Sequence, residues 1–151
     1  MDRVLIIGAS GGIGSALGVQ LRAQGGHVVG LSRSGDGFDI TDEASVEAHL
    51  NALDGPFCGI IVATGALEIE GAAPEKSIRA VTAKAMADQF AVNAIGPALV
   101  LRHVARLLPR DRRSVCAVLT ARVGSIGDNR IGGWTSYRAA KAAANQIVHT
   151  T

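Results

Sequence analysis

The chain predicts an α/β fold, a parallel sheet covered on both faces by helices, and three observations carry that expectation. Short apolar runs alternate with longer stretches of helical periodicity, the pattern of successive βαβ units. The runs are apolar throughout, as strands buried on both faces must be. Hydrophobic residues make up 48% of the chain and charged residues 19%, which suits a packed core rather than a disordered segment. At 151 residues, one domain over 1–151 is expected.

The first strand is Val4-Leu5-Ile6-Ile7. It runs into Gly8-Ala9-Ser10-Gly11-Gly12-Ile13-Gly14 and then a helix over about 12–24, with Ile13, Leu17 and Leu21 on one face. Strand, glycine turn and helix in that order form the context of a dinucleotide-binding turn. Glycines let the backbone approach a pyrophosphate, and the helix N-terminus supplies N–H groups and a favourable dipole. The alternative is a glycine-rich turn with no ligand.

His27–Leu31 is the second strand. Only Ser34-Gly35-Asp36-Gly37 separates its end from Phe38-Asp39-Ile40, whereas a parallel crossover needs a dozen residues or more. A third strand there must be rudimentary or tightly connected. Asp42 and Glu43 after Thr41 read as the N-cap and first turn of a helix over 42–53. Further strands are expected at 57–63 and 114–119, with a helix over 82–108 between them. Gly96-Pro97 should kink or break that helix. A last helix starts near Thr135.

The net charge of +2 is small and scattered, and aromatics at 3% offer no stacking platform, so nucleic acid is not an expected partner. Cys58 and Cys116 sit in apolar runs without metal-ligand spacing and read as buried thiols of a reducing compartment. His27, His49, His103 and His149 form no ligand pattern, so no metal is expected. No run approaches the ~18 apolar residues of a membrane span. Met1, Asp2 and Arg3 lead straight into a strand without a secretory pattern, so a cytoplasmic protein is expected.

Tyr137 and Lys141 are four residues apart, about one helical turn, so both side chains leave one face of the last helix. A phenol beside an ammonium is a proton-transfer device, and the Lys⁺ field should pull the phenol's pKa down. On a solvated helix the same pair would be incidental.

The glycines fit G-x-x-x-G-x-G through Gly8, Gly12 and Gly14, and G-x-x-G-x-x-G through Gly8, Gly11 and Gly14. With Tyr137-x-x-x-Lys141 downstream, the whole chain resembles the short-chain dehydrogenase/reductase family. The resemblance implies a Rossmann-like, doubly wound sheet of order 3-2-1-4-5. The last strands of the usual fold are missing, which reads as a C-terminally truncated member. It implies a cofactor held by Gly8, Ser10, Gly11, Gly12, Ile13 and Gly14, and by Thr64 and Gly65, where the family usually has Asn-Asn-Ala-Gly. Asp39-Ile40 resembles the pair that holds the adenine edge; a carboxylate that simply starts a turn is the alternative. Arg33 stands where NAD-selective sites carry a carboxylate, and a guanidinium suits a 2′-phosphate, so NADP is favoured over NAD. An Arg that points into water is the other reading, with Asp36 then near enough to serve a ribose hydroxyl.

The resemblance assigns Tyr137 as proton donor, Lys141 as its electrostatic partner and ribose ligand, and Asn93 as holder of a relay water; an Asn that bonds a neighbouring carbonyl at the Gly96-Pro97 kink is the alternative. The family's carbonyl-polarising Ser falls on Ala121 here. Ser125, 12 residues before Tyr137, is the candidate donor, with Thr120 as fallback; a Ser that merely sits in a loop is the other reading. Trp134 either lines the substrate mouth or packs under the next helix. The implied reaction is reversible hydride transfer to a carbonyl of a small aldehyde or ketone, in a homodimer or homotetramer. A non-catalytic NAD(P)-binding module, acting as sensor or assembly partner, is the competing expectation.

Overall fold

The computed structural model describes residues 3–151. Met1 and Asp2, part of the start from which the absence of a secretory pattern is read, lie outside the described residues. Strands β1 (Arg3–Ile7), β2 (His27–Leu31), β3 (Gly59–Val62) and β4 (Val115–Val118) form one parallel sheet in the order β2-β1-β3-β4. Ile7 stands opposite Leu31 and Val62, and Val62 opposite Val118, so the four carboxyl ends are level. The helices are α1 (Gly12–Ala23), α2 (Arg33–Asp36), α3 (Glu43–Asn51), α4 (Ala83–Phe90), α5 (Gly96–Leu107) and α6 (Thr135–Thr150).

This is the expected α/β architecture, and its strand order is the expected one without the third strand. Residues 38–40 form no strand because local partners take up their backbone. The Phe38 N–H donates to Ser32 O at 3.2 Å and the Asp39 N–H to Ser45 Oγ at 3.0 Å. Phe38 and Ile40 still turn inward and are buried, so apolar spacing without a ladder partner mimics a strand in the sequence.

The chain packs as two compact units, Met1–Thr64 with Leu99–Leu119, and Gly65–Ala98 with Thr120–Thr151. The first contains the sheet. β1 is buried along almost its whole length, as a central parallel strand must be. Leu5, Ile7, Leu50, Phe57, Ile60 and Leu107 anchor its core. On the other face α1 lies against β1, where a Cβ on Gly18 would make ordinary contact with Ile6 Cδ1 at 3.7 Å.

In the second unit α6 packs against α4, against a π-helical turn at Ala91–Ile95, and against a 3-10 turn at Arg122–Gly124. The π turn is where the break near Gly96-Pro97 was expected. Pro97 has no N–H, and its ring would crowd the carbonyl of Asn93 four residues earlier; one wider turn removes that clash. Among the described residues no helix is long and apolar enough to cross a membrane, and no group of three or more His, Cys, Asp or Glu is placed to hold a metal ion.

Candidate active site

In the first unit the glycine turn leaves the carboxyl end of β1. Gly8 has φ +89°, and its N–H and that of Ala9 both donate to Leu31 O, at 2.8 and 3.1 Å. The end of β2 thereby pins the turn. A Cβ on Gly14 would sit 2.2 Å from Gly8 O, so only glycine lets α1 start this close. Gly11 is the N-cap of α1 and offers no side-chain acceptor to the first-turn N–H groups. A Cβ on Gly12 would meet nothing within 4 Å. Ser10, Gly11, Gly12 and Ile13 are exposed around this opening. Bare helix N–H groups facing open space are what a pyrophosphate requires, so these residues fit a dinucleotide.

Thr64 follows β3 in the same unit, with Cγ2 3.0 Å from a Cβ built on Gly8. Its Oγ1 is buried without a hydrogen-bond partner, an orphan polar atom that a ligand hydroxyl could satisfy. Arg33 opens α2 and is exposed. Asp36 turns back instead, accepting from the N–H and Oγ–H of Ser32 at 2.9 and 3.2 Å. Asp39 Oδ1 accepts from the Thr41 N–H and Oγ1–H, at 2.8 and 2.7 Å, so it does start a turn. These two bonds hold its carboxyl below the usual carboxylate range. Ile40 faces the core.

In the second unit Tyr137 and Lys141 share a face of α6, with Lys141 Nζ 5.8 Å from the Tyr137 ring centre. Lys141 is almost fully buried, and burial pulls its ammonium down. The expected lowering of the Tyr137 phenol is corrected here. Burial pushes it up, because partial desolvation disfavours the charged phenolate.

Asn93 is fully buried in the π turn. Its Nδ2 donates to Ala66 O at 2.9 Å and to Gln89 Oε1 at 2.7 Å, and its Oδ1 accepts from the Ala66 N–H at 3.2 Å. This satisfied amide clamps the loop at Gly65. A Cβ on Gly65 would fall 2.9 Å from Lys141 Nζ and 3.1 Å from Asn93 Oδ1, so the glycine is where the two side chains converge.

Gly124 packs on the backbone of α6 at Lys141, where a Cβ would come within 2.9 Å of Lys141 C. Ser125 follows it, exposed, its Oγ accepting from the Asp128 N–H at 3.3 Å. Thr120 is exposed, and Ala121 is the N-cap of the 3-10 turn. The Trp134 ring meets Tyr137 edge-on, with centres 6.4 Å apart.

Sequence reasoning missed Gln89, Ser136 and Glu75. Gln89 sits four residues before Asn93, a helical spacing that carries such bonds and could have shown it. Ser136 and Glu75 bond each other across 61 positions, and nothing local signals that.

No protein-family model matches the chain. The chain is 30% identical to 1-hydroxy-2-glutathionyl-2-methyl-3-butene dehydrogenase of Rhodococcus sp. (strain AD45), over 97% of this chain and 68% of that protein. Its fold superposes on a putative short-chain alcohol dehydrogenase from Burkholderia multivorans with TM-score 0.87 and 28% identity, covering 99% of this chain and 76% of that one. A small-chain dehydrogenase in complex with NADPH gives TM-score 0.77 and 25% identity, over 97% of this chain and 61% of that one. These similarities run through both units, from the glycine turn to the helix of Tyr137 and Lys141, and with them the chain belongs to the short-chain dehydrogenase/reductase family of oxidoreductases.

Proposed function

We propose that the chain is an NADP-dependent oxidoreductase that moves hydride reversibly between the cofactor and the carbonyl carbon of a small aldehyde or ketone, with Tyr137 as proton donor. The convergence of Lys141 and Asn93 on Gly65, one helical turn from Tyr137, carries this reading. NADP is favoured over NAD by the exposed Arg33 and by Asp36 being tied to Ser32 rather than free for a ribose hydroxyl. The NADPH complex among the similar structures supports the same choice.

When bound, the nicotinamide supplies hydride in reduction and accepts it in oxidation. Tyr137 gives its proton to the carbonyl oxygen as charge develops there, and burial keeps that proton in place until it is needed. Lys141 holds the nicotinamide ribose and sets the charge beside the phenol. Asn93 keeps Gly65 against Lys141. Its main-chain carbonyl, to which Pro97 offers no N–H, is our acceptor for the relay water. Ser125, or Thr120 in its place, donates to the substrate oxygen, and the working form is a homodimer or homotetramer. Asp39 and Ile40 border the adenine.

A second reading, cofactor binding without turnover, is favoured by one observation: Ala121, where the family carries its carbonyl-polarising Ser, lacks a hydroxyl. Titration with NADPH and NADH, followed by NADPH oxidation over a panel of aldehydes and ketones, tests both. We expect NADPH to bind about tenfold or more tighter than NADH, with turnover of at least one carbonyl. Binding with no turnover on any carbonyl supports the second reading, and no binding of either nucleotide overturns both.

A further inference from the structure

We propose that Glu75 is a positioning residue for the reaction: by holding the first turn of α6 it fixes where Tyr137 presents its phenol and where Trp134 stands beside it. The proposal rests on the oxidoreductase reading above. Glu75 lies in a loop, yet it is only 8% exposed. Its carboxylate accepts from the Ser136 Oγ–H and from the Ser136 N–H, the latter at 3.3 Å. Its main-chain carbonyl accepts the Trp134 N–H at 2.6 Å. One loop residue therefore bonds both the N-cap and the second residue of the helix that carries the proton donor.

A helix start ordinarily takes Ser, Thr, Asp or Asn at its N-cap. Here the N-cap is Trp134, which has no side-chain cap bond and sits at φ +54°. A large side chain adopts that conformation only where its surroundings impose it, and such strain gathers at functional sites. Gly132 and Gly133 lead into it with φ +72° and +67°, and a Cβ on Gly133 would lie 3.4 Å from Glu75 O. Glu75 thus replaces the missing cap from outside the helix, and its carboxylate sits at the end where a negative charge is favoured. Moving the cap off position 134 leaves that position to an indole packed edge-on to Tyr137. Burial raises the Glu75 carboxyl, and the bonds from the Ser136 hydroxyl, its own N–H and the Ser136 N–H together outweigh it and hold the group below the usual range, so the acceptor stays ionised at neutral pH.

A helix cap that only stabilises would make Glu75 interchangeable with any other cap of the unit, and the test exploits this. Glu75→Gln sets an NH2 group against one of the two Ser136 donors, while Thr82→Ala removes the Ala85 N–H to Thr82 Oγ1 cap of α4. In the NADPH-loaded enzyme we expect Glu75→Gln to lower kcat about tenfold or more with the NADPH Kd within about twofold, and Thr82→Ala to leave kcat within about twofold. Adding Ser136→Ala to Glu75→Gln should lower kcat no further, because the two act as one contact. Equal kcat in Glu75→Gln and wild type, or an equal fall in Thr82→Ala, overturns the proposal. Should Glu75→Gln not fold, Ser136→Ala alone is expected to lower kcat about threefold at unchanged Kd, and an unchanged kcat overturns it.

A readout without turnover separates this proposal from the oxidoreductase reading. Tyr137 and Trp134 are the single tyrosine and tryptophan of the chain, so tyrosine-to-tryptophan energy transfer and near-ultraviolet circular dichroism report their mutual geometry. Both signals should change in Glu75→Gln and not in Thr82→Ala. If they change while the wild type turns nothing over, the reaction assignment fails and the positioning stands; if neither changes, the positioning fails.

Discussion

Arg33 and Tyr137 separate recognition from chemistry at the level of single side chains. Replacing Arg33 by Ala removes a charge-assisted contact of about 1.5–3 kcal/mol. The NADPH Kd should then rise about 10- to 100-fold while the NADH Kd holds, which competitive titration reads directly. For Tyr137 the sign is set by burial. In the cofactor-free protein a half-buried phenol keeps its proton to higher pH, so near-ultraviolet titration of this one tyrosine should give a midpoint above the ordinary 10.0. A midpoint below that value would mean that Lys141 governs the phenol already before the cofactor binds. Both residues are legible in the sequence because their meaning is local: Arg33 follows the end of β2 by two residues, and Tyr137 precedes Lys141 by one turn. The direction of the phenol's shift is not legible, since it depends on how deeply α6 is buried.

Among elements, the glycine turn and the π turn place functional atoms alongside α6. Gly14→Ala would drive a methyl to 2.2 Å from Gly8 O, too close for side-chain adjustment to relieve. Overpacking of this kind costs about 1–3 kcal/mol. We expect Gly14→Ala to melt earlier and to bind NADPH about tenfold or more weakly, by thermal denaturation and fluorescence titration. The turn was readable because strand, glycines and helix are contiguous. The π turn was readable only as a disturbance: Pro97 announces a break, but sequence does not say that one wider turn will absorb it and seat Asn93 against Ala66. The stretch at 38–40 shows the converse. Phe38 and Ile40 carry the apolar spacing of a strand, and the structure uses them as core residues of a loop, because Ser32 and Ser45 compete for the backbone bonds a strand would need.

On the scale of the whole molecule, hydrogen-bonded carboxyls link pH to stability. Glu75 and Asp39 both have carboxyls held below their ordinary values of 4.5 and 3.8, Glu75 by bonds from Ser136 and its own N–H that together outweigh its burial, and Asp39 mainly by Thr41. A depressed carboxyl stabilises the fold above its unfolded value and loses that contribution as pH falls through the folded one. The melting temperature should therefore decline below about pH 4.5, and Glu75→Gln should decline less steeply over that range. Such a link was invisible in the sequence, where Glu75 and Ser136 stand 61 positions apart. Family membership was visible, because its signature needs only two short motifs in the right order. The reaction itself turns on one phenol. Comparing carbonyl-dependent NADPH oxidation by wild type and Tyr137→Phe tests it most directly. We expect the variant to bind NADPH within about threefold of wild type and to oxidise it at least about 100-fold more slowly. An undiminished rate in Tyr137→Phe would contradict the assignment of Tyr137 as proton donor.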